Sequence, residues 1–388
     1  MKRSIRSLFF AVSLVGFAAT ATTLAGQYTI IDLGTLGGTA SYGYHLNDSG
    51  QVVGRSQDAS SAEWAFLWTT AGGMQNLGNL GYSNSIAQGI NNSGMAVGWC
   101  GSGWEEAFVY PDPASPGQMK SLPIPGPYVA ARALGINSGN DVVGALADQW
   151  GNVRDPVYWA YDSGSQSWSA TLLPKLDPAA KGFAQRINDS GQVVGFGYNA
   201  STKNRASLWQ VVGGSWTITD LGTLVPGPDS ATYTSWARDI NGSGQVVGEA
   251  QCTAIGGNFM VHAFLWDSTN GMQDLGSLGG DAKKSWAYGI NDTGQVVGKS
   301  DPASGFISTA FIWDSTNGMR ALIDLLDPGH GWTALFQADA INEMGYITGY
   351  GKQIDGEYHA FLITPEPATM ALLALGGVGL LARRRRGK

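Results

Sequence analysis

One signature occurs seven times along the chain, and this repetition constrains the fold more than any other feature. Each copy has an Ile-Asn pair or a close variant, a polar turn, and then Val-Val-Gly or a close variant. Successive Asn residues are 44, 46, 51, 53, 50 and 51 positions apart. Repeats of this length are typical of solenoids and propellers, in which each unit buries its apolar face against its neighbours. The repeated Asn residues are Asn47, Asn91, Asn137, Asn188, Asn241, Asn291 and Asn342.

Each copy contains the pattern of four short strands. In the fourth copy, residues 188–191 read Asn-Asp-Ser-Gly, which is tight-turn chemistry. The Val pair that follows predicts a strand. Next come an apolar strand such as Ala263–Trp266, a hairpin loop, and an Asp-Leu-Gly strand such as the one at Asp274. With the small-residue strand that ends at Ile-Asn, this makes four strands in about 48 residues, the content of a propeller blade.

The two ends of the repeat region lack their usual partners. The region begins with an Asp-Leu-Gly strand, Tyr28 to Gly34, and ends with an Ala-Phe-Leu strand, His359 to Ile363. In the other copies these two strand types are hairpin partners, so pairing them here would remove two exposed sheet edges. We therefore predict an all-β, seven-bladed β-propeller closed by the N-terminal strand. A linear β-solenoid is the alternative.

Both ends of the chain carry targeting patterns. Lys2, Arg3 and Arg6 precede an apolar run from Leu8 to Ala19 and then small residues, which predicts a secretory signal peptide over 1–25. The repeat domain then covers 26–364. These segments predict export across the inner membrane.

The last 24 residues, 365–388, have a different order. Pro365, Glu366 and Pro367 are followed by an apolar run, 370–382, that is shorter than the roughly 20 residues of a permanent transmembrane helix. A basic cluster then favours the cytoplasmic side. This pattern predicts a segment that halts in the membrane and is removed, with a permanent anchor as the alternative. The cluster consists of Arg383, Arg384, Arg385 and Arg386.

The tail resembles the PEP-CTERM sorting signal of Gram-negative bacteria. The resemblance implies transient contact with the export machinery, the membrane and an exosortase-like protease, followed by a secreted or cell-surface location. It also implies a biofilm-matrix context, because such signals are associated with exopolysaccharide producers. The repeat itself resembles the HAF repeat of bacterial extracellular proteins, complete here at residues 262–264 and 359–361. That resemblance implies an exported repeat protein and carries no reaction.

The composition of the repeat region excludes several partners. Residues 26–364 hold 15 basic and 29 acidic side chains, a formal charge of −14. Such a surface repels nucleic acid and anionic lipid. The two cysteines, Cys100 and Cys252, lie far apart in the repeat order, which favours free or buried thiols. No nucleophile elbow or phosphate loop is present. His45 and His330 lack partners at metal-ligand spacing, so we expect no metal and no cofactor.

Comparing the copies in register gives a candidate ligand site. Four residues before the Asn every copy has Gly or Ala, which indicates a packed face, whereas the positions two, three and five before it vary. Variable aromatic and charged residues suit a glycan-binding surface; filling the space between blades is the alternative role of the rings. The candidate ligand-binding residues are Tyr42, Tyr44, Arg132, Trp236, Arg238, Asp239, Trp286, Tyr288 and Asp339.

These features predict a non-enzymatic binding or structural component of the extracellular matrix or cell envelope, with a polysaccharide or protein ligand. The alternative is an extracellular glycan hydrolase or lyase on one propeller face. Glycoside hydrolysis needs two carboxyl groups about 5–10 Å apart, and Asp239 and Asp339 are the candidates. A passive spacer of the envelope, with no site at all, is a further alternative.

Overall fold

A computed structural model of the chain describes residues 27–102, 105–112, 115, 117–148, 153–225, 227, 231–253, 259–305 and 307–366. The regular structure of these residues is β-sheet, apart from a short 3₁₀ helix at Leu322–Leu325, which confirms the predicted all-β class. Within these ranges no helix has the length and apolar character needed to cross a membrane. The predicted signal peptide, the apolar run 370–382 and the Arg cluster lie outside the described residues.

Five sheets each contain four antiparallel strands that are consecutive in the chain. They are β6 Ser85–Ile90, β7 Ala96–Cys100, β8 Glu106–Tyr110 and β9 Lys120–Ser121; β10 Ala130–Ile136, β11 Val142–Ala147, β12 Val153–Asp162 and β13 Ser167–Leu172; β14 Gly182–Ile187, β15 Val193–Tyr198, β16 Asn204–Val212 and β17 Ser215–Asp220; β18 Ser235–Ile240, β19 Val246–Thr253, β20 Phe259–Asp267 and β21 Gly271–Asp274; β22 Ser285–Ile290, β23 Val296–Ser300, β24 Thr309–Asp314 and β25 Gly318–Ala321.

A sixth sheet has eight strands and contains both ends of the described chain. Its first strand, β1, pairs antiparallel with its last, β28, with Tyr28 opposite Pro365. The predicted pairing of the first and last strands is therefore present. A single parallel bridge between Ala40 and Tyr358 links this group to the other four strands. The strands are β1 Tyr28–Asp32, β2 Gly37–Leu46, β3 Val52–Asp58, β4 Glu63–Thr69, β5 Gly73–Asn76, β26 Trp332–Ile341, β27 Ile347–Gln353 and β28 Tyr358–Pro365.

The pairing of β1 and β28 extends into the tail pattern. Pro365 is buried in β28, and the backbone N–H of Glu366 donates to the carbonyl of Gln27 at 2.9 Å. The predicted boundary after residue 364 therefore falls two residues short of the last backbone hydrogen bond between the two ends. The first two residues of the Pro-Glu-Pro pattern belong to the folded body.

Deletion of residues 367–388 should leave the thermal stability of the body unchanged, because no described contact is lost. Deletion of 365–388 should cost about 1–2 kcal/mol, since it removes a buried Pro and one hydrogen bond at the end of β28. Thermal unfolding of the two truncated chains measures the difference. Equal midpoints would show that Pro365 and Glu366 contribute nothing to the fold.

The core is divided into seven hydrophobic clusters, each of which joins two neighbouring groups of strands. One of them joins the first and last copies, because Leu46 and Phe66 pack with Ala360 and Leu362. The Phe of the Ala-Phe strand is fully buried in five copies, where each ring contributes about 1.5–3 kcal/mol by leaving water. These rings are Phe66, Phe108, Phe264, Phe311 and Phe361.

The first strand of every group carries a bulge three residues before its Asn. In β18, for example, Ala237 pairs with Gly248 and Asp239 with Val247, so Arg238 has no direct partner. The other six first strands skip the equivalent residue. A bulge redirects the side chain of the extra residue. It therefore sets the direction of one of the variable positions singled out in the sequence.

The repeated Asn connects each copy to the next. Asn241 is buried; its Oδ1 accepts backbone N–H groups of Ser243 and Gln245, and its Nδ2 donates to the carbonyl of Asn291 at 3.1 Å. The same link to the next Asn occurs in six of the seven copies, including one from Asn342 to Asn47. An amide is needed here because one side chain must donate and accept at once.

Candidate functional site

The repeated Asn residues surround a central cavity of about 230 Å³. Its lining comes from the residues that lie between two positions before and one position after each Asn. Most copies supply backbone, Gly or apolar side chains two positions before the Asn. His45, Arg186 and Asp239 are the exceptions, and they put ionisable groups into the middle of the cavity.

These three groups influence one another. Burial raises the pKa of Asp239 to about 6, although the Arg186 guanidinium and the Ile290 N–H, 3.0 Å from Oδ2, oppose the rise. Burial and Arg186 lower the pKa of His45 to about 3, so this imidazole is neutral at physiological pH. The Nδ1 of His45 is buried and has no hydrogen-bond partner. The cavity therefore holds one cation, one carboxyl and one neutral ring.

The mouth of the cavity is formed by the residue after each Asn. These side chains bind backbone N–H groups of the neighbouring copy; Glu343, for example, accepts from the Asp292 N–H at 3.0 Å. Burial raises the pKa of Glu343 to about 7, and Asp292 and Asp48 add to the rise. The acidic groups here join neighbouring copies. The seven residues are Asp48, Asn92, Ser138, Asp189, Gly242, Asp292 and Glu343.

Of the nine predicted ligand-binding residues, only Asp239 lines this cavity. The other eight lie in the first strands at or before the bulge, where they form a second surface with side chains of the second strands. We call this the bulge surface. Its members are Tyr42, Tyr44, Arg132, Trp236, Arg238, Trp286, Tyr288 and Asp339 together with Arg55, Trp99, Glu249, Lys299 and Tyr350.

Cations and aromatic rings alternate on the bulge surface. The guanidinium of Arg238 binds both carboxylate oxygens of Glu249 and lies 5.9 Å from the centre of the Tyr288 ring. The ammonium of Lys299 lies 5.1 Å from the ring of Trp286 and 5.6 Å from that of Tyr288. Such cation–ring contacts hold both partners in a fixed arrangement.

Two further cations follow the same pattern. Arg132 donates to Glu105 at 2.6 Å and lies 5.2 Å from the ring of Trp99. The guanidinium of Arg55 lies 4.7 Å from the ring of Tyr42. Trp236 is half-buried, and its strand partner is Glu249.

A row of four aromatic rings leads outward from Tyr42. The centres of Tyr42 and Tyr350 are 4.9 Å apart, those of Tyr350 and Phe336 are 6.0 Å apart, and those of Phe336 and Tyr358 are 5.7 Å apart. Lys352 lies 5.8 Å from the outermost ring. Tyr358 is exposed and the other three rings are half-buried. The row therefore starts at a bulge-surface ring and ends at an exposed one.

Asp339 is the one bulged carboxyl. Its Oδ1 accepts from the Nε2 of Gln337 at 2.7 Å, whereas its buried Oδ2 has no hydrogen-bond partner. Burial raises its pKa to about 7, and Gln337, Lys299 and Arg186 limit the rise. Burial also raises the pKa of the phenols of Tyr44 and Tyr288. Asp339 therefore changes charge near neutral pH.

Sequence reasoning missed the second-strand half of this surface. Arg55, Glu249 and Lys299 follow the Gly of Val-Val-Gly, and this position varies among the copies as the bulged position does. The in-register comparison stopped at the first strand. Extending it by one strand would have found them, because cross-strand partners share a face.

One group of potential metal ligands is found in the described part of the chain, and it does not line the central cavity. It consists of Cys252, His262 and Asp274. Both cysteines are buried free thiols, as predicted.

Two family models match parts of the chain. Residues 127–279 match DUF3466, described as a protein of unknown function, and residues 364–386 match the PEP-CTERM protein-sorting motif. No curated protein matches the chain.

Solved structures similar to this chain include β-propellers. The β-propeller domain of the Trilobed protease from Pyrococcus furiosus, described as having an open velcro topology, has 10% identity and a TM-score of 0.52 over 83% of this chain and 95% of that one. TolB from Acinetobacter baumannii has 11% identity and a TM-score of 0.43, with 74% and 63% covered. AofleA from Arthrobotrys oligospora has 10% and 0.41, with 77% and 90% covered. The chain therefore has an all-β fold of the propeller type, contains a DUF3466 match, and carries a PEP-CTERM sorting motif at its C-terminus.

Proposed function

We propose that the body is a seven-bladed propeller closed by β1. The first strand of each group contacts the first strand of the next, and β26 contacts β2. A hydrophobic cluster and an Asn342–Asn47 hydrogen bond join the last copy to the first. These contacts favour a ring over a linear solenoid, in which the first and last copies would not meet.

The PEP-CTERM motif implies an exported, surface-sorted protein that exosortase-type machinery processes. We propose that the domain from residue 26 onward is released or displayed outside the cell after this processing. With a charge of −14 before the tail, it stays soluble in that medium.

We propose that the bulge surface binds an extracellular polysaccharide without catalysis. The observation that carries this proposal is the row from Tyr42 to Tyr358, because adjacent rings 4.9–6.0 Å apart offer successive apolar platforms to a sugar chain. Arg55 and Lys352 flank the two ends of the row. This arrangement suits pyranose rings with acidic substituents.

Lys299 supports an acidic ligand. It forms no salt bridge among the described residues, and it lies between the rings of Trp286 and Tyr288. Burial lowers its pKa, so a ligand carboxylate would restore a lost stabilising charge. In contrast, Glu249 and Glu105 already pair the neighbouring arginines.

The purified repeat domain should bind a uronate-containing polysaccharide in affinity electrophoresis, and Tyr350→Ala should weaken this binding about tenfold. The reason is that one stacked ring contributes roughly 1–2 kcal/mol. Lys299→Gln should weaken binding to acidic polysaccharides and leave binding to neutral ones unchanged.

Trp216→Ala is the matched control, because Trp216 is a half-buried ring on the outer strand β17 that belongs to neither surface. It should bind as the unsubstituted protein does. If no polysaccharide retards the protein, or if the control weakens binding as much as Tyr350→Ala, the bulge surface is not a glycan site.

A glycan hydrolase or lyase is the second candidate, and the raised pKa values of Asp239 and Asp339 favour it. The two carboxyls do not line a common cavity, since Asp239 lines the central one and Asp339 does not. Release of reducing ends from the bound polysaccharide that Asp339→Asn abolishes would establish catalysis in place of simple binding.

A further inference from the structure

The fifth copy differs from the others on its outer strands, where three metal-ligand side chains converge. The Sγ of Cys252, a ring nitrogen of His262 and a carboxylate oxygen of Asp274 all lie within 4.8 Å of one another. They come from the adjacent strands β19, β20 and β21. We propose that these three residues bind a divalent transition-metal ion, and Zn²⁺ matches a thiolate, imidazole and carboxylate set best.

The hydrogen bonds of His262 favour Nδ1 as a ligand atom. Nδ1 lies 2.9 and 2.8 Å from the two carboxylate oxygens of Asp274, and Nε2 donates to the carbonyl of Lys283 at 3.0 Å. Metal-binding histidines usually donate their second ring N–H to a carbonyl or a carboxylate, which fixes the ring and its tautomer. Lys283 already supplies that outer partner.

The same bonds argue against a Cys-His-Asp nucleophile. In a catalytic pair, a free ring nitrogen must accept the thiol proton. Here the Lys283 carbonyl holds Nε2, and the Asp274 carboxylate holds Nδ1. Cys252 is also buried, at 7% exposure, which keeps a substrate away from its sulfur.

Burial and exposure suit an open, three-ligand site. Cys252 and His262 are buried, whereas Asp274 lies at the surface, so a fourth position faces water. Burial alone would lower the pKa of His262, but Asp274 and Cys252 raise it to about 10. The metal-free ring therefore carries a proton on Nδ1, which an incoming ion displaces.

The seventh copy shows the same frame without the thiol. His359 Nδ1 lies 2.9 and 3.0 Å from the Asp32 oxygens, and Gln353 occupies the place of Cys252, 3.5 Å from that nitrogen. In the fourth copy the pair is Arg205 and Asp220. The pair across the hairpin is thus a structural element of several copies, and only the fifth copy adds a sulfur ligand to it.

Titration of the purified full chain with Co²⁺ and Zn²⁺ tests the proposal. We expect one equivalent of Co²⁺ to bind with a thiolate-to-cobalt charge-transfer band, and Zn²⁺ to abolish the band by displacement. A titration without this band would overturn the proposal.

Three variants make the test specific. Cys252→Gln installs the side chain of the seventh copy, so it should fold normally by circular dichroism, lose the band, and weaken Zn²⁺ binding by about 100-fold or more. Cys100→Ser removes the other thiol and should keep the band. Gln353→Cys should bind a second equivalent. An unchanged titration in Cys252→Gln, a lost band in Cys100→Ser, or a single equivalent in Gln353→Cys would each contradict the assigned ligands.

Discussion

Replacement of Gly298 by Ala should destabilise the protein by about 3–5 kcal/mol. A Cβ at this position would lie 1.9 Å from the carbonyl oxygen of Trp286 and 2.9 Å from Cε1 of Phe311. Neither neighbour can move freely, because Trp286 is paired in the sheet and Phe311 is fully buried. The midpoint of urea or thermal unfolding measures the loss.

The clash is a property of the bulge, so every copy shares it. The Gly of Val-Val-Gly in each of the seven copies would place a Cβ 1.9–2.0 Å from a carbonyl oxygen of the first strand. Gly164→Ala is the control, since Gly164 lies in an exposed hairpin where the nearest atom would be 3.3 Å away. A loss below about 1 kcal/mol in Gly298→Ala would show that the bulge can relax to admit a methyl group.

Asn241→Asp should cost about 2–4 kcal/mol at neutral pH, although the two side chains have the same shape. The Nδ2 donates to the Asn291 carbonyl at 3.1 Å and to Oε1 of Gln245 at 2.9 Å. A carboxylate would turn an oxygen toward both acceptors. Equilibrium unfolding of the variant measures the cost.

The pH dependence of this variant gives a second readout. Burial and the facing oxygens would raise the folded-state pKa of the new carboxyl above its unfolded value of about 3.9. The penalty is therefore complete above the raised pKa and disappears as the pH falls toward the unfolded value, where the protonated group donates again. A penalty that does not change with pH would contradict this account.

Asn76→Asp provides the matched control. Asn76 occupies the Asp-Leu-Gly position, where its exposed Oδ1 accepts the Gly78 N–H at 2.8 Å. Asp274 makes the equivalent bond to Gly276 at 2.7 Å. The same chemical change should therefore have no measurable effect there.

The sequence predicted the features that every copy repeats. The Asn turn, the Val pair and the Ala-Phe strand recur because each copy must satisfy the same packing and the same hydrogen bonds to its neighbour. The unpaired first and last strands predicted the pairing of β1 with β28, because complementary edges bury each other. Constant residues thus carried the information on the fold.

The rest depends on geometry that no single copy reveals. The bulge at Arg238 and its equivalents follows from the close approach of a Gly to a carbonyl, which spacing alone does not show. Lys299 joins Trp286 only through cross-strand pairing. Similarly, Cys252 and Asp274 meet at His262 because three strands lie side by side, although 22 positions separate them.

The emergence of the tail from β28 has a mechanical consequence. This strand is hydrogen-bonded on one side to β27 and on the other to β1. While the tail holds the protein at the membrane, any external pull on the domain is applied to the strand that carries both ends of the described chain. Two rows of hydrogen bonds share that load, so the tethered domain resists unravelling from its attachment point until the tail is cut.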